Sequence, residues 1–200
     1  MTGPSTAPPS EAPLAVQVLQ TAAALENLAV VSYTTAGGLP FVAAGSAQLR
    51  ALIARNKAHH AAHAQAFNQA VAKAGGAQQH SADARYAASL SRGLAGAKDP
   101  SSVVGLLDEL EGIIAQTCTR YATLAVGGSL RSLFVNIASV EAQHGAELLI
   151  FRTLLNGGHA EPGATAADAR TLPAAVGTVG IPQAVYPTAD ASAINEGAVR

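Results

Sequence analysis

Between Glu11 and Arg50 the sequence carries one charged residue, Glu26. It lies on the stripe Leu19, Ala22, Glu26, Ala29 or Val30, and Tyr33, whose three-to-four-residue spacing is that of one helix face. A carboxylate turned into an apolar core costs several kcal/mol unless it is paired or holds a metal. Three further stripes supply partners. Leu49, Ile53, Asn56, His60, His63, Phe67 and Val71 form an apolar row interrupted by two imidazoles one turn apart. Val104, Leu107, Glu111, Ile114, Cys118, Tyr121 or Ala122, and Ala125 turn Glu111 inward and leave Asp108 and Glu109 outside. Phe134, Ile137, Glu141, His144, Leu148, Phe151 and Leu155 place Glu141 and His144 on one apolar face, with Glu147 off it. Three carboxylates and three imidazoles make a donor set for divalent cations. Carboxylates bridge and neutralise two ions about 3.5–4 Å apart, and neutral imidazoles complete the coordination without adding charge. Inward Tyr33 is the candidate catalytic group, able to donate a hydrogen bond or an electron to bound oxygen, and Cys118 is placed to line the same cavity. A metal-free network of Glu and His hydrogen bonds, with Tyr33 and Cys118 as core packing, is the alternative. His59 falls beside its stripe and is expected to face solvent.

These groups meet only if long helices carry them, and Gly and Pro punctuation marks out four. The first spans Leu14 to Ala36, after Pro13 and before Gly37-Gly38; the second follows Ser46 as cap and runs to Ala74 before Gly75-Gly76. The third follows Pro100, with Ser101 or Ser102 as cap, and runs to Val126; the fourth is capped by Ser129 and ends at Asn156 before Gly157-Gly158. Short connections make helices one and two, and three and four, antiparallel hairpins, while Gly75 to Pro100 is long enough to cross the bundle, with a short helix around Ala82 to Leu94. In an antiparallel hairpin two residues share a level when their midpoint falls at the turn. Glu26 and His60 have their midpoint at 43, near a turn at about 41, and Glu111 and Glu141 at 126, near a turn at about 128. The expected fold is therefore an all-α four-helix bundle over residues 14–156, with 1–13 as a disordered lead and 157–200 as an extended C-terminal arm.

The order Glu26, His60-Ala-Ala-His63, Glu111, Glu141-Ala-Gln-His144 resembles the ferritin-like superfamily of di-iron carboxylate bundles, in which two helices give a Glu and two give Glu-x-x-His. Leu25-Glu26-Asn27-Leu28 through Tyr33 is most similar to the ferritin-like domains of bacterial and desiccation-associated proteins. One position departs: His60 stands where the family has a Glu, so a bridging carboxylate is lost. The resemblance implies two divalent metal ions, iron first and manganese or zinc as alternatives, handling dioxygen, peroxide or the metal itself, as in a ferroxidase or a peroxide-consuming oxidoreductase of a stress response. The alternative from another class is a binding or structural bundle whose site is degenerate, mononuclear or empty.

Composition bounds the partners. Of 200 residues 46 are Ala and 4% are aromatic, so the core is built from small side chains. A net charge of −1 with no clustered Lys or Arg gives no track for nucleic acid. Gln17, Gln20, Glu26 and Asn27 break the apolar first helix and argue against a membrane span. That helix is nevertheless apolar on a second side, at Leu14, Val18, Leu25 and Val31, and the arm holds apolar pieces at Val176 to Ile181 and Ala184 to Tyr186. Together they imply a homo-oligomer, most simply a dimer, with the arm on its own bundle or its neighbour's. Lone Cys118 fits a reducing, bacterial cytoplasmic setting, and Met1 to Pro13 has no basic start of a secretory signal; an exported form is the alternative.

Overall fold

The structure is a computed structural model that describes residues 13–156 and 188–199. The expected lead before Pro13, and the arm from 157 to 187 with its two apolar pieces, lie outside the described residues. All regular structure in the described residues is helical: α1 (Leu14–Gly38), α2 (Pro40–Ala43), α3 (Ala47–Lys73), α4 (Ala84–Gly96), α5 (Pro100–Leu124) and α6 (Gly128–Asn156). The four long helices and the short crossover helix stand where periodicity and punctuation put them. The single turn α2 was not expected; Pro40 starts it by fixing φ at its first position.

Local chemistry sets the ends. Ser46 caps α3 by accepting from the Leu49 N–H, and Asp83 caps α4 by accepting from Arg85 and Tyr86. The cap of α5 is Asp99 rather than Ser101 or Ser102, because Pro100 occupies the first helical position and Asp99 Oδ1 accepts from Ser102 N at 2.8 Å. Ser129 likewise lies inside α6, which begins at Gly128. At the end of α3, Gly75 adopts φ +77°, and Gly76 N–H returns to Val71 O at 3.0 Å, closing the helix in a left-handed turn.

Helix α1 packs along α3 and α5 along α6, with α1 against α5 and α3 against α6 completing the bundle. Alanines on α1 (Ala22, Ala23, Ala24, Ala29) let neighbouring backbones approach closely. The largest enclosed side chains sit in two groups. Phe67, Phe134 and Tyr121 pack at one level, the first pair tilted and Tyr121 edge-on to Phe134, ring centroids 5.3 and 5.8 Å apart, and Tyr33 stands toward the opposite end beside His60.

Helix α1 is the one described helix long and apolar enough to cross a membrane by length and composition, yet fifteen of its 25 residues are buried inside the bundle. Of its second apolar side, Val18 and Leu25 are covered by the chain itself, while Leu14 and Val31 stay exposed. The crossover lies on it through Gln20 Nε2 donating to Ala77 O (2.7 Å), Asn27 Nδ2 to Gln79 O (3.0 Å) and Asp83 N to Ala24 O (3.0 Å). Residues 188–199 complete the cover. Thr21 Oγ1 donates to Ile194 O (2.9 Å), Gly197 N to Thr21 Oγ1 (3.0 Å), and the Tyr121 hydroxyl reaches Ser192 O and Ala193 O (3.0 and 2.9 Å). Gln20, Thr21 and Asn27 are thus attachments of α1 to two distant segments.

Gly197 lies close against α1. A Cβ there would stand 2.7 Å from Ala24 Cβ and 2.8 Å from Thr21 Cα. Gly197→Ala is expected to lift residues 188–199 off α1, read as faster amide exchange in that segment with α3 and α6 unchanged; an unaltered exchange pattern contradicts this attachment.

Candidate metal centre

All six residues singled out by type and spacing come together at mid-bundle. Glu26 comes from α1, His60 and His63 from α3, Glu111 from α5, and Glu141 and His144 from α6. Glu26, His60, Glu111 and Glu141 have no solvent exposure, and His63 keeps 14% of its side chain exposed. Their donor atoms form two groups, each within 4.8 Å: Glu26, His60, His63 and Glu141, and His60, Glu111, Glu141 and His144. Both groups contain His60 and Glu141.

The contacts differ between the groups. His60 presents Nδ1 to Glu26 Oε2 at 2.8 Å and Nε2 to Glu111 Oε1 at 3.1 Å, so each ring nitrogen faces a carboxylate from a different helix. His144 Nδ1 meets Glu141 Oε2 at 3.3 Å and Glu111 Oε2 at 3.5 Å. His63 Nδ1 lies 2.6 Å from Glu141 Oε1 and 3.6 Å from Glu26 Oε1 without hydrogen-bond alignment to either. Of the six buried side-chain atoms without a hydrogen-bond partner among the described residues, four belong here: Glu26 Oε1, His63 Nδ1, Glu111 Oε2 and Glu141 Oε1. Orphaned buried acceptors are costly and rare, and four pointing into one cluster form the donor set a divalent cation requires. The residues present therefore fit a metal.

Tyr33 is inside and touches the cluster, its hydroxyl donating to Glu111 Oε1, while Asn56 Nδ2 donates to the Tyr33 oxygen at 3.5 Å. Burial and the Glu111 charge push the Tyr33 phenol well up, which holds it as a donor. Cys118 is fully buried, and burial with the Glu26 and Glu141 charges pushes its thiol up, so it is a neutral wall rather than a thiolate.

Two neighbours were missed from sequence. His59 is exposed as expected, but its ring stacks on His144 at 5.2 Å and its Nδ1 lies 3.0 Å from His144 Nε2. Asn56 lay on the correct stripe with no role attached. The available signal for both was position: one precedes His60 directly, and the other sits one turn before it.

Residues 14–156 match the ferritin-like domain family. No curated protein and no solved structure matches the chain.

Burial and the Glu26 charge push Glu141 from 4.5 up to about 7; burial opposes charge on His63, but the Glu141 and Glu26 carboxylates push it from 6.5 to about 9. Both groups hold a proton more tightly folded than unfolded, so the stability they contribute is present at low pH. It is lost between 4.5 and about 7 for Glu141 and between 6.5 and about 9 for His63. Calorimetry of chelated protein is expected to give an unfolding temperature that falls from about pH 6 to pH 9, while affinity for Mn(II), which competes with the same protons, rises. An unfolding temperature that climbs over this interval contradicts the assignment.

Proposed function

The chain belongs to the ferritin-like domain family, and on that premise we propose that it binds iron or manganese at mid-bundle and acts on dioxygen, peroxide or the metal ion itself. One observation carries the reading: four buried donor atoms, from four helices, stand without hydrogen-bond partners in one small volume. Mixed carboxylate and imidazole donors suit iron and manganese, with zinc as the redox-inert occupant of the same set.

A bound redox metal would supply electron transfer and open coordination positions for a small oxygen molecule. The chain's own residues do the rest. Glu26, Glu111 and Glu141 neutralise positive charge, and the Ala-rich helices around them exclude bulk water. Tyr33 holds Glu111 in place through its hydroxyl and keeps its proton. His63, the most exposed of the six, marks the side on which solvent-borne molecules approach.

The second reading, a structural bundle without turnover, is favoured by a specific contact: His60 satisfies two carboxylates at once, so part of the cluster holds together by hydrogen bonds alone. A homo-oligomer belongs to the proposal as well. Leu14, Val31, Val135 and Leu149 stay exposed on the bundle surface.

Protein purified without chelator is expected to carry iron or manganese and to oxidise Fe(II) or consume peroxide faster than free metal. Glu141→Ala with His144→Ala removes both metal and excess rate, lowering affinity by more than the ~10–100-fold typical of an outer-shell partner. Equal rates for the two proteins favour the structural reading. Light scattering is expected to show a dimer or larger, and a monodisperse monomer overturns the oligomer.

A further inference from the structure

We infer that the centre holds a single ion, on Glu26, His63 and Glu141, and that His60 occupies the second position as a hydrogen-bond donor rather than as a ligand. This rests on the metal-binding reading above and adds its stoichiometry and ligand set.

The four unpartnered atoms are not evenly shared. Three of them, Glu26 Oε1, His63 Nδ1 and Glu141 Oε1, face one another, with His63 Nδ1 3.6 Å and 2.6 Å from the two oxygens. Only Glu111 Oε2 remains in the other half. There the remaining donor atoms are already engaged. Glu111 Oε1 accepts from Tyr33 and faces His60 Nε2, Glu141 Oε2 bonds His144 Nδ1, and the far nitrogen of His144 lies against His59. A second ion would have to break several of these contacts, whereas the first displaces only the close approach of His63 Nδ1 to Glu141 Oε1 and Glu26 Oε1.

Ligand chemistry leads to the same asymmetry. A carboxylate has two oxygens and can give one to each of two cations, but a neutral imidazole carries a hydrogen on one nitrogen and has a lone pair on the other. At this position His60 can serve at most one ion while neutral, and both of its nitrogens already face carboxylates, at 2.8 and 3.1 Å. Its contact with Glu111 Oε1, together with the Tyr33 hydroxyl donating to the same oxygen, fills the place that a second cation would take beside that carboxylate. Glu26 and Glu141 then match the two charges of one divalent ion. The opening at His63 adjoins the same half, so the ion and its small-molecule ligand share one entrance.

Mn(II) titration of the full chain, followed by calorimetry and electron paramagnetic resonance, tests this. One equivalent per chain with the six-line signal of an isolated ion is expected. Glu26→Gln or His63→Ala should weaken binding more than ~100-fold, and His60→Ala or Glu111→Gln less than ~10-fold, the lower end of what an outer-shell partner costs. His60→Glu, which restores a carboxylate able to bridge, should raise the stoichiometry to two and give a spin-coupled signal; if that variant does not fold, His60→Ala alone decides whether His60 is a ligand. Two equivalents in the unaltered chain, or a loss in His60→Ala equal to that in His63→Ala, overturns the single-ion centre and leaves metal binding standing. No binding of Mn(II), Fe(II) or Zn(II) overturns both.

Discussion

Three carboxylates without solvent exposure stand within a few ångströms of one another at the middle of this bundle, and the rest of the architecture answers that fact. Their mutual repulsion in a poorly polarisable interior can be offset only by positive partners held at fixed places. His60, His63 and His144 are those partners, and they arrive from two helices facing the two that carry Glu26 and Glu111. Removing one partner from such a set typically costs about 3–5 kcal/mol, because a buried charge is left unanswered. The cluster therefore helps to pin the axial register of the four helices, above all of α1 and α3, whose alanine-rich surfaces, being smooth, would specify it poorly.

The centre was legible in the sequence because the chain is so poor in charge. One acid in thirty-eight residues, and one inward acid on each of α5 and α6, cannot hide among surface charges, and helical period does the rest. Levels could be matched across hairpins because the connections between paired helices are short. What stayed illegible depends on contacts between segments far apart in sequence. His59 looks like any solvent-facing residue until α6 brings His144 beside it, and Asn56 is a polar residue on an apolar stripe until Tyr33 arrives from α1. The cap of α5 was misplaced by two or three residues, since serine after proline reads as a cap until the aspartate before it is seen to accept the bond.

The second apolar side of α1 is covered in part by the crossover and the C-terminal segment and left open at Leu14 and Val31. Hydrophobicity alone asks for burial and does not say by what; a partner chain, the crossover and the C-terminal segment all answer it equally. The polar residues carry that information. Gln20, Thr21 and Asn27 are spaced to meet backbone groups of non-helical segments, which the interior of a partner helix would not offer because its own amides are already bonded.

Those attachments join residues more than 170 positions apart: Thr21 to Ile194 and to Gly197, and Gln20 to Val199. Contacts of such long sequence separation form late, because closing the intervening loop must precede any reward from them. While the chain is being made on a ribosome, α1 emerges before the segments that cover it and waits, one side open, until about 160 further residues have followed it. The protein thus has an interval, set by the speed of translation and not by its own folding rate, in which one side of its most apolar helix stands without its C-terminal cover.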